Sequence, residues 1–135
     1  MSQPKLKTIY VVEDEETQRT MIMDFLSQYE GTVVKGFITG DACIKEIVNN
    51  KTVVPDLIIV DYYLDAVVAS KYDGLDTVTK INEICPEAKL VMLTSVDNER
   101  IMNLALERGA SDFIMKDQEG FDALGSFIER KFDID

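Results

Sequence analysis

The sequence predicts an α/β fold, a doubly wound parallel sheet of five strands flanked by five helices. Three observations predict it. Leu57-Ile58-Ile59-Val60 is an unbroken apolar run with three β-branched residues, as in a central strand buried on both faces. Short apolar runs of this kind alternate along the chain with segments of helical period. Such alternation implies right-handed crossovers and a parallel sheet covered on both faces. Helix and strand breakers (Gly31, Pro55, Pro86, Gly109) fall between these segments.

Thr8-Ile9-Tyr10-Val11-Val12 is the first strand, and it runs out into Glu13-Asp14-Glu15-Glu16. In the helix that follows, Ile22, Phe25, Leu26 and Tyr29 share a face at i, i+3, i+4 and i+7. Acidic residues at its start suit the positive end of the helix dipole, and Gly31 closes it. Thr32-Val33-Val34-Lys35-Gly36-Phe37 is a weaker second strand. Thr39 can cap a helix over 41–49, with Cys43, Ile44, Ile47 and Val48 inward. The central strand, 56–60, is entered at Pro55, a residue that cannot lie inside it.

Residues 61–73 show no clear period and read as a long loop. A helix over 75–84 sets Leu75, Val78 and Ile81 on one face and ends before Pro86. Lys89-Leu90-Val91-Met92-Leu93 is the fourth strand, leading into Thr94-Ser95. A fourth helix, 99–108, presents Ile101, Leu104 and Ala105 and stops at Gly109. Asp112-Phe113-Ile114-Met115 is a short fifth strand that leads into Lys116-Asp117. Phe121, Leu124, Phe127 and Ile128 line a final helix that runs nearly to the end of the chain.

Composition narrows the function. The 135 residues, 46% hydrophobic and 29% charged, suit one domain with one core, read here as 1–135 with no output domain. No apolar run is long enough to span a bilayer, and Met1-Ser2-Gln3-Pro4-Lys5 is no signal segment, so the expected location is the cytoplasm. A net charge of -11 argues against direct contact with nucleic acid or anionic membrane. Histidine is absent, which removes histidine triads, histidine metal sites and any phosphohistidine on this chain. Glycine-rich nucleotide cradles are absent as well. Cys43 and Cys85 have no redox or metal spacing and read as buried thiols, with a single disulfide as the alternative.

In a parallel sheet all the carboxyl ends of the strands lie on one edge, and ligands bind just outside that edge. Here the ends carry Glu13-Asp14, Asp61, Thr94 and Lys116. Each alone has an ordinary reading: a solvated Asp, a helix-dipole acid, a strand-closing Thr, a solvated Lys. Together they bring three carboxylates, a hydroxyl and an ammonium to one place. Three close carboxylates repel, and a hard divalent cation such as Mg²⁺ suits their all-oxygen ligation. Lys116 offsets charge, and the Thr94 hydroxyl can donate to an oxyanion. That kit suits phosphoryl transfer to an aspartyl carboxylate, giving an acyl phosphate.

These residues resemble the response-regulator receiver domain, the CheY-like family of two-component signalling. The resemblance covers the chain from Ile9 to Phe132. It rests on Glu13-Asp14, on Asp61 after Leu57-Ile58-Ile59-Val60, on Thr94-Ser95, on Lys116 after Phe113-Ile114-Met115, and on Asp73-Gly74-Leu75 entering the third helix. It implies strand order 2-1-3-4-5. It also implies Asp61 as phosphoacceptor, Mg²⁺ held by Glu13, Asp14, Asp61 and the backbone carbonyl of Tyr63, and Thr94 and Lys116 on the phosphoryl group. Phe113 is the switch aromatic by resemblance and a plain core residue of the fifth strand by position.

The resemblance implies a single-domain signalling switch without turnover of an external substrate. Its phosphoryl donor is a sensor histidine kinase or phosphotransfer protein. Its output is read by a protein partner through the face formed by the fourth helix, fifth strand and fifth helix. Whether phosphorylation promotes a homodimer there stays open.

Three departures stand out. Asp117 occupies a place where the family usually has a cis-proline, and a cis bond to any other residue costs roughly 3 kcal/mol. The bond after Lys116 is therefore open between cis and trans. The stretch 61–74 is longer than usual in the family, and its extra segment, 65–72, reads as a surface insertion, as a cover for the site or as a contact for a partner. Tyr63 and Val96, two past Asp61 and Thr94, stand where the family tunes hydrolysis of the acyl phosphate. Two other functions compete. One is a phosphorylation-independent interaction module on the same fold. The other is an aspartyl-nucleophile phosphatase, disfavoured because its general acid would stand where Tyr63 does.

Overall fold

A computed structural model of the chain describes residues 5–64, 72–95, 97–117, 119–132 and 134. β1 (Thr8–Val12), β2 (Val33–Phe37), β3 (Leu57–Asp61), β4 (Lys89–Thr94) and β5 (Asp112–Met115) form one sheet ordered β2-β1-β3-β4-β5. Every neighbouring pair is parallel. The crossovers carry α1 (Glu16–Leu26), α2 (Gly40–Asn49), α3 (Gly74–Ile84) and α4 (Glu99–Glu107), and α5 (Gly120–Lys131) follows β5. The expected fold class and strand order are both observed.

Side chains alternate across a strand, so each central strand feeds two cores. Tyr10, Val12, Ile58, Val60, Leu90 and Met92 pack with α2, α3 and Ala105 of α4. Ile9, Val11, Leu57, Ile59, Val91 and Leu93 pack with Ile22 and Leu26 of α1 and with Leu124, Phe127 and Ile128 of α5. β3, buried along its whole length, is the spine of both.

Several local expectations change. α1 stops at Leu26, because Ser27 Oγ donates to the Asp24 carbonyl (2.6 Å) and Gln28 Nε2 to the Phe25 carbonyl (2.8 Å), satisfying the last turn with side chains. Tyr29 therefore lies beyond the helix, though it still packs on the α1/α5 core, and Gly31 (φ +82°) serves the following turn. Val48 is exposed rather than inward. The buried stripe of α2 runs through Gly40, Cys43 and Ile47, and Val48 sits about 90° round the helix from it. On α4 only Ala105 is fully buried, while Ile101 and Leu104 are half-buried. Both cysteines are free and buried.

Register sets the edge. Val12 pairs with Val60, so Glu13 follows beside Asp61. Thr94 pairs with Met115, so Lys116 follows beside the end of β4, its N–H donating to the Thr94 carbonyl at 2.7 Å.

Candidate functional site

Asp61 is the last residue of β3 and is 5% exposed. Its parity with Leu57 and Ile59 turns it to the α1/α5 side of the sheet. Asp73-Gly74 holds the backbone behind it. The Asp73 carboxylate caps α3 by accepting the Asp76 N–H at 2.7 Å, and the Gly74 N–H donates to the Tyr62 carbonyl at 3.3 Å. A Cβ on Gly74 would stand 2.4 Å from the Asp61 carbonyl oxygen, so only glycine allows α3 to start this close to the acceptor strand.

Glu13 is 1% exposed and enters the same pocket from the end of β1. Its Oε2 accepts the Glu15 N–H at 3.2 Å, and Arg19 Nη1 donates to its backbone carbonyl at 3.0 Å. Carboxylate oxygens of Glu13, Asp14 and Asp61 lie within 4.8 Å of one another, a donor set of hard oxygens that fits a divalent cation such as Mg²⁺.

Lys116 supplies the protein's own counter-charge. Its Nζ lies 3.0 Å from Asp61 Oδ2 and also donates to Glu13 Oε1 and, at 2.6 Å, to Gln18 Oε1. Burial is the largest influence on both buried acids and raises both above the ordinary carboxylate range. Glu13 is pushed up to about 7, with Lys116 pulling it down and the Asp61 charge adding to the rise. Asp61 is raised by burial against the downward pull of Lys116. An added cation would relieve the burial cost of both carboxylates and the Asp61 charge felt by Glu13.

Thr94 ends β4 and is fully buried. Its parity with Leu90 and Met92 puts it on the α3/α4 side. Phe113, half-buried, packs on that same core, two residues before the register partner of Thr94. Tyr63, exposed at the rim, donates its N–H to Asp61 Oδ1 at 3.3 Å, and its ring meets Tyr62 edge-on. Val96 lies outside the described residues, as do 65–71 of the extra segment. Tyr72, the last residue of that segment, packs against the α2/α3 core.

The bond after Lys116 is trans. Asp117 acts on its own neighbourhood. Its Oδ1 accepts the Glu119 N–H at 3.0 Å and starts α5, whose own N-cap residue, Glu119, makes no side-chain cap. A groove of about 800 Å³ runs from the carboxylates between α1 and α5, walled by Met21, Ile22, Phe121 and Leu124. The structure thus brings Glu13, Asp14, Asp61 and Lys116 together, whereas Thr94, expected among them, lies on the α3/α4 side of the sheet. It adds Gln18, whose only sequence signal is its place three residues after the α1 cap.

Comparison with known proteins gives the family. A family model described as the response regulator receiver domain matches residues 9–126. The response regulator protein VraR of Staphylococcus epidermidis is 32% identical over 108 residues, 80% of this chain and 48% of VraR. The chain therefore spans about half the length of that relative. The chemotaxis protein CheY of Thermotoga maritima is 26% identical over 110 residues, 82% of this chain and 85% of CheY. Among solved structures, the receiver domain of NtrX from Brucella abortus superposes with a TM-score of 0.77 at 31% identity, covering 91% of this chain and 96% of that one.

Proposed function

The chain belongs to the response regulator receiver domain family, and on that premise we propose that it accepts a phosphoryl group on Asp61 from a phosphohistidine protein. Receiver domains are signalling modules of two-component systems, so the reaction is self-modification rather than turnover. Residues 1–135 are read as one receiver unit, placed in the cytoplasm with its donor. No helix among the described residues is long and apolar enough to cross a membrane. The observation that carries the reading is the buried Asp61 carboxylate at the end of the central strand, 3.0 Å from the Lys116 ammonium and beside two further carboxylates.

In the reaction an Asp61 carboxylate oxygen bonds to phosphorus as the bond from phosphorus to the donor's imidazole nitrogen breaks. The electron pair leaves with the imidazole, and an acyl phosphate remains on Asp61. Glu13, Asp14 and Asp61, with the Tyr63 backbone carbonyl, would hold Mg²⁺. Bound there, Mg²⁺ neutralises carboxylate and phosphoryl charge. Lys116 pairs with the phosphoryl oxygens, and Thr94 donates its hydroxyl to them. The exposed Tyr63 ring at the rim hinders attacking water, and Val96 is proposed to act with it.

Phosphorylation adds about two negative charges at Asp61. Drawing Thr94 toward them frees space on the α3/α4 side, where Phe113 is half-buried and α4 is anchored chiefly by Ala105. The α4–β5–α5 face then shifts between two packings, and a protein partner that prefers one of them reads the state. A second copy of the chain is one candidate for that partner.

Intact-mass spectrometry after incubation with acetyl phosphate and Mg²⁺ tests the reading. One phosphoryl adduct is expected, absent without Mg²⁺ and absent in Asp61→Ala. A folded wild type without adduct would favour the phosphorylation-independent module instead.

A further inference from the structure

Gln18 touches the site from an unexpected direction. It is the third residue of α1, whose cap is Glu15. At that position a glutamine ordinarily reaches back to the backbone N–H of the capping residue. Here that N–H is already taken by Glu13 Oε2 (3.2 Å), while the Glu15 carboxylate accepts the Gln18 N–H at 2.7 Å. The helix start is satisfied without the Gln18 amide. Its oxygen instead accepts from Lys116 Nζ at 2.6 Å, across 98 residues of sequence. Lysine can only donate, so the amide oxygen must be the atom facing it.

We propose that Gln18 is a positioning residue, holding the Lys116 ammonium at the acceptor once a divalent cation has claimed the carboxylates. This rests on the phosphoacceptor reading of Asp61. An ammonium has three N–H donors, and here they go to Glu13, Asp61 and Gln18. Glu13 and Asp61 both belong to the oxygen cluster that suits the cation. A cation there competes with Lys116 for both, and Gln18 alone of the three partners lies outside that cluster. Its neutral oxygen keeps the ammonium over the site without adding a fourth negative charge. It also releases the ammonium to an incoming phosphoryl oxygen without leaving a buried charge behind, since Gln18 is exposed.

Two readouts test this on the full chain. In protein labelled with ¹⁵N-lysine, the Lys116 ammonium signal is followed by NMR with Mg²⁺ present. Its assignment comes from Lys116→Arg, and hydrogen exchange there is expected to be several-fold faster in Gln18→Leu than in wild type. Gln18→Glu, which restores an acceptor, is expected to restore slow exchange. In the second readout, labelling by acetyl phosphate and Mg²⁺ is expected to be about fivefold slower in Gln18→Leu at saturating donor, the scale of one solvent-screened bond to a charged group. Its dependence on donor concentration is expected to match wild type.

A Lys116 signal identical in wild type and Gln18→Leu overturns the positioning role. So does equal labelling of the two proteins, and in either case the phosphoacceptor reading stands. A wild type that takes up no phosphoryl group removes that reading, and this one with it, whatever the lysine signal shows.

Discussion

Lys116→Met separates the charge of Lys116 from its packing. The methionine keeps most of the apolar stem and loses the ammonium that lies 3.0 Å from Asp61 Oδ2 and also bonds Glu13. Glu13 and Asp61 are 1% and 5% exposed, so water replaces the lost partner only in part. Removing one member of a buried ion pair costs roughly 3–5 kcal/mol. Uptake of a proton by the two acids, both already raised by burial, recovers part of that. A net loss of about 2–3 kcal/mol is expected, within the 5–15 kcal/mol that holds a domain folded. The assay is urea unfolding with and without Mg²⁺. Without the ion the variant is expected to show that loss. With it, the variant is expected to gain more than wild type, because no ammonium competes for Glu13. An ion present at a hundredfold excess over its dissociation constant contributes about 2.7 kcal/mol. A loss below about 0.5 kcal/mol without Mg²⁺, the size of an ordinary surface change, would refute the claim that Lys116 compensates buried charge. Equal Mg²⁺ stabilisation of both proteins would refute the competition.

Three further outcomes are expected. Gly74→Ala places a methyl 2.4 Å from the Asp61 carbonyl and 2.5 Å from that of Tyr62, both backbone atoms. A loss of about 1–3 kcal/mol in urea unfolding, with weaker Mg²⁺ binding, is expected from the forced shift. Asp117→Ala removes the bond that starts α5 and is expected to cost about 1 kcal/mol while leaving acetyl phosphate labelling intact. A large loss of labelling would show that Asp117 places Lys116 rather than α5. Burial pushes the Cys43 thiol well above its ordinary value near 9. The folded state then keeps a proton that the unfolded state releases, so this contribution is full below pH 9 and is lost as pH rises beyond it. The slope is about 1.4 kcal/mol per pH unit. The fall in unfolding free energy between pH 8 and 10 is expected to be smaller in Cys43→Ala than in wild type, and equal falls would contradict it.

Most of the fold was legible because its signals are local. The run Leu57–Val60 is apolar on both faces, and Pro55, Pro86 and Gly109 cannot continue the elements they border. Thr39 and its helix were readable for the same reason, as a short-range bond from Oγ1 to the Ala42 N–H (3.1 Å). Misreadings came where two local choices compete. Periodicity continued α1 to Tyr29, but Ser27 and Gln28 close the last turn with their own side chains. Val48 is apolar yet faces water, since a three- to four-residue spacing does not say which edge of the stripe is covered. Asp117 replaces the proline usual in the family, and only the fold shows that its carboxylate bonds the Glu119 N–H just ahead of α5.

The identities of the acidic, hydroxyl and lysine residues, and their place at the strand ends, were determined by the sequence alone. A parallel sheet leaves one edge for all of them, and the apolar runs mark where each strand stops. Tertiary structure decided how they meet. Lys116 lies 103 residues from Glu13 and 98 from Gln18, and whether one ammonium spans both depends on β1, β3 and β5 sharing a register and on the pitch of α1 beside them. It also decided that Glu13 and Asp61 are buried enough to be raised together. Residue type carries chemistry, whereas distance and desolvation, which set the strength of that chemistry, arise only when distant segments pack.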